Sequence, residues 1–196
     1  MKKLIAFAAL IATTFSFAQT TWKVDPHHSK VNFSVSHLVI SEVDGTFNTF
    51  DGEFVAKNDD FSNSNISFEI DANSIDTDNE KRDGHLKSED FFYTEKYSKI
   101  SFKSTSFKKK DKNKYQLKGN LTMRGVTKPV TLKVTHGGII ANDGYGNTKA
   151  GFKIEGTLNR VDFGVAWNGK TEHGGMVVGE KIDFTAKLEL VKQANN

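Results

Sequence analysis

The chain's groups able to move protons or hold charge are 6 histidines, 24 acidic residues and 27 basic residues, and cysteine is absent. Without cysteine there is no thiolate nucleophile, no thiolate zinc site, no iron–sulfur cluster and no disulfide. His27 and His28 are adjacent, so on a strand they point to opposite faces and make a poor metal pair. The sequence holds no Gly-x-Ser-x-Gly elbow, no His-Glu-x-x-His helix and no glycine-rich phosphate loop followed by Lys and Ser/Thr. Neither catalytic residues nor a metal or cofactor site is therefore expected. His37 alternates in phase with Val31, Phe33 and Val35, which puts an imidazole on an apolar face. Arg82 and His85 are three apart on an expected helix and together can meet a phosphate or another polar oxygen. Each also has a structural reading: His37 as a hydrogen-bonded core histidine, Arg82 and His85 as partners of Asp83 or Asp90.

These residues need a scaffold, and the dominant pattern is the period of a half-buried strand. Apolar residues alternate at Val31, Phe33, Val35, His37 and Val39, at Ile66, Phe68 and Ile70, and at Ile100 and Phe102. The pattern resumes at Tyr115 to Met123, Val130 to Val134, Ala150 to Leu158 and Ile182 to Leu190. A further strand over residues 43–56 changes parity between Phe47 and Phe50, which predicts a bulge or bend. Asn58-Asp59-Asp60, the lysine-rich tip Lys108 to Lys114, Arg124-Gly125 and the glycine-rich Gly137 to Asn147 separate the runs as turns. One short helix is expected near residues 77–90, where Thr77 and Glu80 have capping-box spacing. The irregular stretch Arg160 to Val178 is placed to cover an opening. About eight antiparallel strands in one domain follow, as a sandwich or as a barrel.

Residues 1–18 read as a cleaved secretory signal: a basic start, an apolar run from Leu4 to Phe17, and small residues three and one positions before Gln19. The apolar run is shorter than the roughly 20 residues that span a bilayer. Export to a periplasm or beyond follows, with residues 19–196 as the working domain. Removing Lys2 and Lys3 leaves 25 basic against 24 acidic residues, so the formal charge falls from +3 to +1. That near-neutral balance disfavours nucleic acid. Thirteen of the 16 phenylalanines remain after the leader, and many share one strand parity, which points to a large apolar interior.

The residues Trp22, Asp25, His28-Ser29, Val31, Phe33, Val35 and His37-Leu38 form the first of several familiar blocks. Ser74-Ile75-x-Thr77 and Arg82-Asp83-x-His85-Leu86-x-Ser88-x-Asp90-Phe91-Phe92 form the next. Gly119-x-Leu121-Thr122-Met123-Arg124-Gly125-Val126-Thr127-Lys128-Pro129-Val130 and Asn159-Arg160-x-Asp162-Phe163-Gly164 complete the series. In this order, across nearly the whole mature chain, the blocks resemble the YceI-like family of secreted proteins. One departure is Ser98 after Tyr97, where family members often carry proline.

The resemblance implies an all-β fold, a single eight-stranded antiparallel lipocalin-like barrel, and thereby favours barrel over sandwich. It implies non-catalytic binding, storage or transport of an amphiphilic isoprenoid lipid, polyprenyl or quinone-like, in an apolar cavity. Lining residues expected on that basis are Phe33, Val35, Phe54, Phe68, Phe102, Leu121, Phe152 and Phe184, with His37, Arg82 and His85 meeting the head group. Small residues Ala72, Ser104, Gly119, Ala150, Gly156 and Ala186 on or near the same parity leave room between the rings, although such mixing also fills a packed barrel. Two alternatives stand beside this reading: a barrel-mouth enzyme acting on a lipid, and a side-chain-filled structural or interaction module. Membrane contact is expected to be at most transient, with the lysine tip as one docking candidate. By analogy with the family, two copies can pair as a homodimer.

Overall fold

The computed structural model describes residues 19–172 and 174–194; the expected leader lies outside them. Alternation becomes strand at each of the runs, except that the first ends at His37. The first stave of the barrel is Thr20–Val24 (β1) continued by Lys30–His37 (β2), with the turn Pro26–His28 between them. The second is Ser41–Phe47 (β3) and Phe50–Ala56 (β4), broken at Asn48-Thr49 where the apolar parity changes. The third is Asn65–Asp71 (β5) and the two-residue Ile75–Asp76 (β6). One helix, Glu80–Lys87 (α1), precedes five long strands: Lys99–Asp111 (β7), Lys114–Met123 (β8), Val126–Ile140 (β9), Lys149–Asn159 (β10) and Val178–Lys192 (β11).

Every neighbouring pair is antiparallel. The ring β1-β4-β5-β7-β8-β9-β10-β11 closes because the end of β11 pairs with β1 through Trp22↔Lys192 and Val24↔Leu190. The first part of β11 pairs instead with β2, which continues the sheet through β3 to its last strand, β6. The result is an eight-strand antiparallel barrel with one helix. Closure leaves no unpaired edge along the ring.

The two ends of the barrel are built differently. At the end where β8 and β10 begin, large side chains fill the bore. Phe61, from the loop between β4 and β5, is fully buried between Trp22 (centroids 5.0 Å apart) and Phe152 (4.9 Å). Its loop is held by the Tyr115 hydroxyl donating to Asp60 O (2.6 Å) and by the Asn63 N–H donating to Phe107 O (2.9 Å). Lys149 ties the outside of this end together, its Nζ 2.6 Å from Glu189 and 3.4 Å from Asp25. Hydrogen bonding to Glu189 pushes the Lys149 ammonium up to about 12. Asp25 also accepts from the His27 N–H and meets His28 Nδ1 at 2.8 Å, which orders the turn before β2.

Three local expectations are corrected. Helix α1 is capped by Asn79, whose side chain accepts from the Arg82 N–H (3.0 Å), rather than by Thr77. Val39 lies in the β2–β3 turn and is exposed rather than on the inner face. Gly137 to Ile140 belong to β9, so the loop expected from Gly137 begins only at Ala141. The lysine tip between β7 and β8 sits at the plugged end of the barrel, away from the hollow described next.

Candidate functional site

The hollow half begins where cross-strand glycines replace large residues. Phe33 pairs with Gly45, Phe68 with Gly52 and Phe184 with Gly156, and Phe102 lies over Gly119 from one strand away. A Cβ on Gly156 would come within 2.8 Å of the Phe184 ring and 2.7 Å of Leu132. Each ring therefore takes the space over a position with no side chain, which leaves more of the bore in front of it open.

Two compartments result. The larger, about 150 Å³, lies toward the open end and is lined by Phe33, Val35, Phe47, Met123, Leu158, Ile182 and their neighbours. The smaller, about 80 Å³, lies deeper, against Phe54, Phe68, Phe102, Leu132 and Leu188. Val31, Ile70, Leu121 and Phe184 line both and form the partition between them. The walls are almost wholly apolar, so the space takes hydrocarbon and excludes water. At these volumes the space fits no more than a short run of hydrocarbon unless the partition side chains part.

Three segments roof the open end: α1 with the following loop, through Leu86, Phe91 and Phe92; the Arg124-Gly125 turn; and the stretch after β10, through Val165. Two arginines stitch them to one another. Arg124, at φ 49°, donates to Glu89 O (2.6 Å) and to Gly164 O, joining the loop after α1 to the stretch after β10. Arg160 is only 4% exposed and donates from Nε to Gly179 O (2.8 Å), from Nη1 to Val165 O (2.6 Å) and from Nη2 to Val178 O (3.1 Å). Its guanidinium also lies 6.0 Å from the Phe91 ring centre. Burial pulls its pKa below the ordinary guanidinium value, opposed by Glu180, and it stays charged at neutral pH. Among the described residues it is the one titratable side chain on the wall of the larger compartment.

Of the expected site residues, the structure brings seven to these compartments: Phe33, Val35, Phe54, Phe68, Phe102, Leu121 and Phe184. It does not bring the other four. Phe152 belongs to the plug, stacked on His136 at 4.7 Å and packed on Phe54 at 5.1 Å. His37 ends β2 above the compartment, paired with Ser41 and Val178. Arg82 turns to Thr77, donating to its Oγ1 (2.7 Å) and carbonyl (2.6 Å), while the Thr77 hydroxyl donates to Asp83 (2.5 Å). His85 meets Asp90 at 2.9 Å and sits edge-on between Phe91 and Trp167, each 5.0 Å away. Arg82 and His85 thus build the roof from outside.

Sequence reasoning missed Arg160, Phe61 and His136. Arg160 was legible as the basic residue of a motif that ends a strand where the irregular cover begins. His136 continues the Val130, Leu132, Val134 alternation by one more step. Phe61 had no periodic signal, because it comes from a turn.

Comparison with known proteins agrees with this geometry. The chain is 36% identical over 170 residues to a UPF0312 protein of Staphylococcus epidermidis, covering 87% of this chain and 96% of that one. A UPF0312 protein of Staphylococcus aureus matches to the same extent. Among solved structures, the YceI protein of Campylobacter jejuni is 29% identical with a TM-score of 0.69, over 81% of this chain and 90% of that one. A polyisoprenoid binding domain from Saccharophagus degradans shares the fold at 14% identity, with a TM-score of 0.66 over 88% and 98% of the two chains. A profile of the YceI-like domain matches residues 22–190, and this chain belongs to the YceI-like family.

Proposed function

We propose that the protein binds an amphiphilic isoprenoid lipid, polyprenyl or quinone-like, without transforming it, and stores or carries it outside the cytoplasm. The observation that carries this reading is the division of one bore into a packed half and a hollow, apolar half whose rings lie over glycines. Likeness to a polyisoprenoid binding domain supports the ligand class. The tail occupies the two compartments in series, and the polar head stays at the open end near Arg160. Apolar burial contributes at most about 0.8 kcal/mol per methylene and is non-directional, so affinity discriminates poorly among tails. Turnover at the mouth would need a general acid or base on the cavity wall, and neither His37 nor His85 stands there. The basic start and apolar run of residues 1–18 support export by a cleaved signal.

Protein purified gently from its native compartment is expected to release about one equivalent of prenyl lipid on organic extraction, read by mass spectrometry. It is also expected to start at Gln19. No extracted lipid, together with no uptake of an added prenyl lipid, would sink the carrier reading.

A further inference from the structure

The β2–β3 turn presents Leu38, Val39 and Ile40 to solvent at 39%, 73% and 86% exposure. The turn closes with the Ile40 N–H donating to His37 O (3.3 Å), and its two central residues, Leu38 (φ 53°) and Val39 (φ 67°), are left-handed. This turn geometry favours Asn-Gly, and a β-branched residue there is a genuine outlier. A Leu-Val pair therefore costs folding stability and exposes apolar surface at once. Such a combination is retained where the surface has a use.

Its position indicates the use. Leu38 donates its N–H to Val177 O (2.8 Å), and Val39 lies against Gly175. Val35 and Val178, a few residues below on the same two strands, line the larger compartment. The tip thus extends the cavity rim outward from Val35 and Val178. We propose that Leu38-Val39-Ile40 is a wedge that inserts into a lipid bilayer surface and brings the open end of the barrel to the membrane. Its purpose rests on the proposed lipid carriage; its test does not.

Two observations favour a bilayer over a second copy of the chain. Three side chains offer a few hundred Å² at most, short of the roughly 800 Å² per partner of a stable dimer, whereas a bilayer accepts a small wedge. Residues 35–41 also carry no Asp, Glu, Lys or Arg, so docking proceeds by apolar insertion and not by charge. The lysine hairpin and a second exposed apolar group, Ile140 and Tyr145, stand at the plugged end, where neither leads to the cavity.

The test is flotation of the purified chain with neutral phosphatidylcholine–phosphatidylethanolamine vesicles, with and without added phosphatidylglycerol, at low and high salt. The test variant combines Leu38→Asn, Val39→Gly and Ile40→Ser. Because Asn-Gly suits the turn, its denaturation midpoint should equal or exceed that of the parent, so lost binding cannot be blamed on unfolding. The parent is expected to float with neutral vesicles independently of salt, and the variant at least tenfold less. Uptake of a dansyl-labelled geranylgeranyl lipid from vesicles should slow in parallel, while uptake from detergent micelles is unchanged.

Equal flotation of parent and variant would overturn the proposal. So would binding that needs phosphatidylglycerol and vanishes in high salt, which assigns contact to the lysine hairpin. Loss of flotation in Ile140→Ser/Tyr145→Ser but not in the tip variant would overturn it too. A parent dimer that the tip variant dissolves, with no flotation by either, would assign the tip to a second copy. If the parent takes up no labelled lipid even from micelles, the carrier reading fails while flotation still decides the tip.

Discussion

His136 sits among rings, stacked on Phe152 and edge-on to Phe61 at 5.3 Å, with its buried Nε2 lacking a protein partner. Burial lowers its pKa below the usual 6.5, partly offset by a backbone hydrogen bond with Gly138. The neutral imidazole is therefore the form that the plug accepts, whereas the unfolded chain protonates normally. Between the lowered folded value and about 6.5 the unfolded state binds more protons, so stability falls as pH falls through that window. The slope is at most about 1.4 kcal/mol per pH unit. Urea denaturation midpoints measured from neutral to mildly acidic pH should show this decline, and His136→Phe should flatten it. An unchanged slope in His136→Phe would place the acid sensitivity elsewhere. The same residue shows how legible single positions are: His136 is the next step of a visible alternation, while its lowered pKa depends on Phe61, which no sequence period places beside it.

At the scale of the element, paired strands matter less for their own stability than for what they set opposite one another. Phe184 and Gly156 face each other because β10 and β11 pair in one register, and a one-residue slip of β11 would turn Phe184 to the outer face. Gly156→Val should push the Phe184 ring further into the bore, thickening the partition between compartments. Overpacking of this kind costs about 1–3 kcal/mol. The variant is expected to remain folded with a lowered denaturation midpoint, and to yield less extractable or loadable prenyl lipid than the parent. Full lipid occupancy in a folded Gly156→Val protein would refute the open-bore account. Strand positions and the parity break at Asn48-Thr49 were readable because alternation has a strict period. The start of α1 was misread because Thr77 competes as a hydrogen-bond partner of Arg82 and Asp83, leaving the cap to Asn79.

For the whole molecule, an incompletely filled core trades stability for capacity. A ligand that binds only the folded barrel stabilises it by mass action, by about 2.7 kcal/mol at one hundred times its dissociation constant. In a chain of this size that corresponds to a rise of about 5–10 °C in Tm. Lipid-stripped protein should therefore melt lower than protein as purified, and added geranylgeranyl lipid should restore the difference. Equal melting of stripped and reloaded protein would contradict binding in the bore.

The sequence by itself determined the strand parity, the number of staves, the turns and the apolar character of the interior, because each is set by local spacing and residue type. It also carried enough ordered motif to indicate the family. Only the tertiary structure decided which end of the bore is plugged and which is open. That outcome depends on Phe61 reaching in from a loop, on four rings meeting glycines across strands, and on Arg124 and Arg160 finding carbonyls in distant segments. It likewise set Arg82 against Thr77, His85 against Asp90 and His37 at the last residue of β2, off the cavity wall. Periodicity fixes a side chain's face; what stands opposite that face is a property of closure.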